Sequence, residues 1–295
     1  MRNLFNFLII NLLISLSIPI YALDLNNSNK TFTSSINITK DDWISPEELN
    51  KVWLNSYISF KTQDVKVKIL MKEFVKSNFS LDNKKNIVIF AHGCSGTVSI
   101  THNRIDFLVD NGYVVIAPQS FARKKYARSC DPMIHRGGMY REILSMRHED
   151  IRHVVRNVRR FDWVNTGQVI LMGHSEGGII AATYVSNSKD DYVDMRIIEG
   201  WTCRSQGPYG WFEYHGLKSK KETPVLALVS KLDPWFQKEW SKGDCGKFLK
   251  NKKSKSYVFD SDYIKRSHQP LNFKEVQNIT NKFMKNNLKL SLIHI

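Results

Sequence analysis

The sequence predicts an α/β fold, with a mainly parallel central sheet and helices on both faces. Three observations carry this expectation. Short runs of Val, Ile and Leu alternate with helix-length segments from residue 65 onward, as buried parallel strands joined by crossover helices require. One run, Val169–Met172, leads into Gly173-His-Ser-Glu-Gly-Gly178 and then into the helix-compatible Ile179–Ala182. This sets a G-x-S-x-G pattern on a strand–turn–helix. No internal repeat or second-domain boundary interrupts the alternation, and the chain is long enough for one well-buried domain.

Residues 1–22 read as a cleaved export signal. Arg2 supplies the positive start, Leu4–Ile18 is mostly apolar, and Ile20-Tyr21-Ala22 offers a small residue for cleavage. An uncleaved anchor is the alternative, but Asn6, Asn11 and Pro19 interrupt an apolar run that is short for a bilayer span. Residues 23–44, rich in Asn, Ser and Thr, are expected as a flexible leader, and 45–295 as a single domain. A helix starts at Ser45-Pro46-Glu47-Glu48, which has an N-cap serine, a first-turn proline and a capping-box glutamate. Val65–Phe74 carries a partly alternating strand pattern. Then come a strand at Ile87–Ala91, a helix at Ile100–Val109 and a strand at Tyr113–Ala117.

A long helix is expected over Met139–Arg160. Ile143, Leu144, Ile151, Val154, Val155 and Val158 share an arc of about 120°, with Arg141, Arg152, Arg156, Arg159 and Arg160 opposite. That arginine stripe reads as a solvated outer face rather than a phosphate grip. Strands at Val169–Met172, Asp194–Ile198, Pro224–Ser230 and Ser256–Phe259 and a helix at Asn272–Leu288 complete the pattern. The stretch between Gly200 and Pro224 is too short for a large lid domain.

The net charge is +15. The lysines are scattered, with small clusters at Lys218–Lys221 and Lys252–Lys255, and no basic block interleaves with aromatics. This argues against nucleic acid and for a solvated basic surface with weak attraction to anionic envelope surfaces. No C-x-x-C pair or His-x-x-x-His spacing exists, and His148 and His153, five apart, do not share a helix face. Neither a metal nor an organic cofactor is therefore expected. Cys94, Cys130, Cys203 and Cys245 suit an oxidising compartment and admit three disulfide connectivities.

Ser175, at the tip of the glycine-flanked turn, is the candidate nucleophile. A serine hydroxyl needs a base to take its proton, and the base needs a carboxylate to hold its tautomer. Asp233, in Ser230-Lys-Leu-Asp-Pro-Trp235, follows a predicted strand at its ligand-facing end. Asp260 and Asp262 are the alternatives. His268, in Arg266-Ser-His-Gln-Pro270, is the candidate base, since His294 lies too near the chain end. Candidate oxyanion donors are the backbone N–H groups of Glu176, after the nucleophile, and of Cys94, in the turn Ala91-His-Gly-Cys-Ser-Gly96. Arg123 is a candidate for holding a substrate carboxylate. Trp201 and Trp235, with Trp211 and Phe212, are candidates for lining a substrate pocket.

The combined pattern resembles the α/β-hydrolase superfamily and, within it, the dienelactone-hydrolase-related group. The resemblance spans roughly residues 65–285. It is carried by His92-Gly-Cys-Ser-Gly96, Ser120-Phe-Ala-Arg123, Cys130-Asp-Pro132, Leu171–Gly178, Gly200-Trp-Thr-Cys203, Val225–Pro234 and Cys245-Gly246. It implies the α/β-hydrolase fold without a large lid. It also implies a Ser175–His268–Asp233 triad that hydrolyses small or medium carboxylic esters through an acyl-enzyme; the export signal and the cysteines make the expected location periplasmic or secreted. A peptidase on the same scaffold and a non-catalytic envelope binding protein are the alternatives. Dienelactone hydrolase itself uses a cysteine nucleophile where this chain has Ser175, which favours a general carboxylic ester over dienelactone. The resemblance further implies the disulfides Cys94–Cys130 and Cys203–Cys245.

Overall fold

The computed structural model describes residues 31–63, 65–77, 81, 83–205 and 214–288. The expected export signal, Trp211, Phe212 and His294 lie outside the described residues.

An eight-stranded sheet is built from β1 (Tyr57–Thr62), β2 (Val65–Leu70), β3 (Lys85–Ala91), β4 (Val114–Ala117), β7 (Val164–His174), β8 (Met195–Glu199), β9 (Val225–Ser230) and β10 (Lys255–Phe259). Their spatial order is β10-β9-β8-β7-β3-β4-β1-β2. From β10 to β4 every pairing is parallel, while β1 is antiparallel to both β4 and β2. β4, β8 and β9 are buried along their whole lengths, which is why β4 and β9 read as near-continuous apolar runs rather than alternations, while β8 buries Arg196 and Glu199 among its apolar residues. A separate two-stranded hairpin, β5 (Cys130–Asp131) with β6 (Arg136–Gly137), lies outside the main sheet.

Among the described residues, seven helices flank these strands: α1 (Lys40–Ile44), α2 (Pro46–Leu54), α3 (Met71–Lys76), α4 (Ser99–Asp110), α5 (Glu142–Val158), α6 (Glu176–Thr183) and α7 (Lys274–Asn287). They cover both faces. Val52 of α2, Phe74 of α3, Ile151 of α5 and Ile180 of α6 are buried, and the last three share one core layer with Ile87 and Leu171. Leu108 of α4 and Val276 and Met284 of α7 form the opposite layer with Val88 and Ile170. The cap expected for α2 is present, with Ser45 Oγ accepting from the Glu48 N–H at 3.4 Å.

Three expectations are corrected. The strand over 65–74 stops at Leu70, and α3 follows, capped by Glu73, which accepts from the Leu70 N–H. Met71 and Phe74, three apart, are both buried, so the helical period overrides the alternation. β1 had no counterpart among the expected strands. The leader is fixed in its described part. Phe32 and Trp43 pack on the core, Thr33 N–H donates to the Tyr126 carbonyl at 2.9 Å, and α1 falls within the region expected to be flexible. Two aromatic anchors outweigh the polar composition around them.

The arginine stripe of α5 is likewise not simply solvated. Arg152 is 7% exposed, and Arg152 and Arg156 both reach the buried Asp191, at 3.2 and 3.0 Å, while Arg159 pairs with Asp194. The stripe fastens α5 to the segment before β8. Because β3, β7, β8 and β9 run parallel, the turns after Ala91, His174, Glu199 and Ser230 all emerge on one rim of the sheet.

Candidate active site

Ser175 sits between β7 and α6 with φ 57° and ψ −119°, a conformation costing about 1–3 kcal/mol that the surroundings must enforce. The glycines permit it. A Cβ on Gly173 would lie 1.9 Å from the Gly177 carbonyl oxygen, and one on Gly177 would lie 2.0 Å from that of Ala91. No side chain fits at either position. The Ser175 N–H donates to the Glu199 carbonyl at 2.8 Å, tying the turn to the end of β8.

Ser175 Oγ is 2.8 Å from His268 Nε2, and His268 Nδ1 is 2.7 Å from Asp233 Oδ2. A carboxylate only accepts, so Nδ1 carries the hydrogen and Nε2 is left to accept from the serine hydroxyl. Asp233 is 1% exposed, and its other oxygen accepts from the Trp235 N–H at 3.0 Å. The Trp235 ring stacks on the His268 imidazole at 5.1 Å. The sequence candidates Ser175, Asp233 and His268 are thus brought together. Asp260 and Asp262 are not; they pair with Lys231 and Lys265.

Three buried charges missed by sequence reasoning hold this arrangement. Arg104 of α4 donates twice to Glu199, from Nε at 2.6 Å and from a terminal nitrogen at 3.0 Å. Glu199 also accepts from the Leu271 N–H at 3.0 Å, which anchors the segment just after His268. Arg147 of α5 donates to Glu176 at 2.7 Å and to the His92 carbonyl at 2.6 Å. It joins the start of α6 to the turn after β3. The only sequence signal was a charge within an apolar stretch, as at Glu199 in Arg196-Ile-Ile-Glu199.

Two neutral histidines complete the frame. His174 Nε2 donates to the His268 carbonyl at 3.1 Å. Burial, then nearby Arg104 and His268, holds its pKa well below the ordinary histidine range. His92 is likewise pushed well down, first by burial and then by Arg147. Its Nδ1–H donates to the Gly93 carbonyl at 2.7 Å, and the Gly96 N–H donates to the same oxygen at 3.1 Å. In a trans peptide the N–H points opposite to the carbonyl, so the Cys94 N–H is aimed away from those two donors.

Ser175, Glu176, Cys94, Trp201 and Trp235 line a cavity of about 140 Å³. Arg123 is elsewhere. It is 1% exposed, donates to Asp150 at 2.6 and 2.9 Å, and donates to the carbonyls of Asp42 and Trp43. Its expected role toward a substrate carboxylate is therefore corrected, since its guanidinium is consumed in fixing α1 to α5. Arg141 and Arg204 line the cavity instead. A larger cavity, about 850 Å³, lies at the opposite rim beside Gly167, Asp194 and Pro224, and none of Ser175, Asp233 and His268 lines it. Among the described residues, no group of three His, Cys, Asp or Glu side chains is placed to hold a metal ion.

The disulfides are Cys94–Cys130, with Cα atoms 6.0 Å apart, and Cys203–Cys245, at 5.0 Å. These are the pairings that the resemblance implies. The first ties the turn after β3 to the β5–β6 hairpin, and both of its cysteines line the cavity.

A strained strand–turn–helix elbow at the rim of this sheet, faced by a buried carboxylate and a histidine, defines a hydrolase of the α/β-hydrolase fold. The chain belongs to the dienelactone hydrolase family, whose model matches residues 76–256. Similar solved structures include a candidate dienelactone hydrolase from Klebsiella pneumoniae, 13% identical, with TM-score 0.48, covering 79% of this chain and 97% of that one. A thermostable carboxylesterase from a metagenomic library is 13% identical, with TM-score 0.47 and coverage of 87% and 100%. Dipeptidyl peptidase 4 of Porphyromonas gingivalis is 11% identical, with TM-score 0.50 and coverage of 79% and 35%. No curated protein matches the chain.

Proposed function

We propose that the protein is an exported serine hydrolase that cleaves small or medium carboxylic esters. The observation that carries this reading is the unbroken relay from Ser175 through His268 to the buried Asp233, at 2.8 and 2.7 Å. His268 accepts the Ser175 proton as Oγ attacks the ester carbonyl, and Asp233 stabilises the imidazolium that forms. The Glu176 and Cys94 amides receive the oxyanion, each worth ~3–4 kcal/mol in the transition state. His268 then returns its proton to the departing alcohol. A water molecule, deprotonated by the same imidazole, attacks the acyl-Ser175 carbonyl, and the acid leaves as Oγ regains its proton. The modest cavity supports a small or medium substrate. Export by the signal at 1–22 is supported by two disulfides, which persist outside the cytosol.

A fluorophosphonate probe should label Ser175, and the label should vanish in Ser175→Ala. A nitrophenyl-ester chain-length series, run beside peptide substrates, should show turnover of the shorter esters. Labelling without any ester turnover, or faster turnover of peptides, would overturn the ester assignment.

A further inference from the structure

The β5–β6 hairpin presents its apolar residues outward. Met133 is 87% exposed and Ile134 65%, and Met139 just beyond is 47% exposed. Nothing suggests that the tip is merely frayed. Cys130 is bonded to Cys94, Asp131 accepts from the Met133 N–H at 3.0 Å, and the Met139 N–H donates to the Ser129 carbonyl at 2.9 Å. The tip is held out as a fixed knob.

Its position relative to the cavity is equally defined. Cys130, Gly137 and Gly138 line the cavity, and so does Trp240, 38% exposed. His135, at the tip, meets the Trp235 ring at 5.5 Å, the same ring that stacks on His268. The exposed apolar side chains therefore stand on the hairpin whose base lines the cavity.

The charge around the knob is one-sided. Between residues 124 and 141 stand five cations, Lys124, Lys125, Arg128, Arg136 and Arg141, against one carboxylate in that segment, Asp131, which caps its own turn; Lys125 is paired with Asp42, and the other four carry the local excess. We infer that the hairpin docks the protein on an anionic lipid bilayer, with Met133 and Ile134 entering the acyl boundary and the flanking cations meeting the headgroups. An exposed apolar tip in a cation-rich segment matches the layered chemistry of such an interface, anionic outside and hydrocarbon beneath. A rigid protein groove would demand complementary walls, which a knob this small cannot fill to a stable interface. Docked in this way, the cavity mouth faces the membrane, whatever bond the site cleaves.

The test is co-sedimentation of the purified exported protein with phosphatidylcholine vesicles containing phosphatidylglycerol, against vesicles of phosphatidylcholine alone. The protein should sediment with the anionic vesicles and be released by high salt. The Met133→Ser/Ile134→Ser double variant should bind roughly tenfold or more weakly, while its hydrolysis of a soluble nitrophenyl ester stays unchanged. Arg128→Glu/Arg136→Glu should weaken binding through the other half of the contact. Three results would each overturn the assignment: no sedimentation of the wild type, equal binding to both vesicle types, or wild-type binding by the Met133→Ser/Ile134→Ser variant.

Discussion

Asp233 has committed both carboxylate oxygens within the protein, one to His268 and one to the Trp235 N–H. Asp233→Asn would keep the shape but lose the acceptor that fixes the Nδ1–H tautomer. Turnover of a nitrophenyl ester should fall by about 10⁴-fold in kcat, with an unchanged circular dichroism spectrum. Arg147 calls for a different measurement, because its removal leaves Glu176 buried without its cation. Arg147→Met should cost about 3–5 kcal/mol in urea unfolding, and Arg147→Met/Glu176→Gln should recover much of that loss. Additive losses in this cycle would show that the two side chains do not act as a pair. At this scale the sequence was legible where local order carries the chemistry. Ser175 stands in a pentapeptide, and Asp233 and His268 follow strands. Arg104, Arg123 and Arg147 were not legible, because a sequence shows a charge but not its partner 95, 27 or 29 positions away.

Elements were readable in proportion to how fully they are buried. β8 and β9, buried throughout, matched their expected spans within a residue at each end, whereas β1 and the short α3 were missed or misread. β1 mixes Ser59, Lys61 and Thr62 with its apolar residues, and its place is set by antiparallel partners on either side. The two disulfides are alike in one respect and unlike in another. Each closes a loop of comparable length, with separations of 36 and 42, so each should contribute about 4 kcal/mol in the chain-entropy model. Only the first holds the turn that carries Cys94. Cys94→Ser/Cys130→Ser should therefore lower kcat beyond its effect on stability, while Cys203→Ser/Cys245→Ser should chiefly lower the thermal midpoint. Equal kcat losses in the two variants would remove Cys94 from the proposed oxyanion site.

For the molecule as a whole, three histidines, His92 buried and His148 and His174 partly buried, set a pH limit. His92 and His174 are held neutral well below the ordinary range, and His148 is pushed down to about 3, chiefly by burial. In the unfolded chain each would titrate near about 6.5. Below that value the unfolded state binds more protons, so stability is full above it and declines as pH falls toward the folded values. Each histidine contributes about 1.4 kcal/mol per pH unit once the pH is well below its unfolded pKa. The urea midpoint should drop between about pH 7 and about pH 5, above the range where carboxylates titrate. A flat midpoint across that window would mean that these imidazoles are protonated in the folded protein. The α/β architecture was legible at this scale because it repeats one pattern along the chain. The docking of residues 31–44 was not, since it depends on Phe32 and Trp43 finding a surface that forms elsewhere in the chain.

The outermost strand bears on how this molecule behaves in a crowd of its own kind. Among the described residues, β2 has no neighbouring strand on one edge of the sheet, the geometry on which copies of a chain can stack into aggregates. Along it Lys66 and Lys68 alternate with Val65, Val67 and Ile69, so a second copy would bring like charges into register beside them. Two lysines that play no part in the chemistry thereby help to keep the protein dispersed at high concentration.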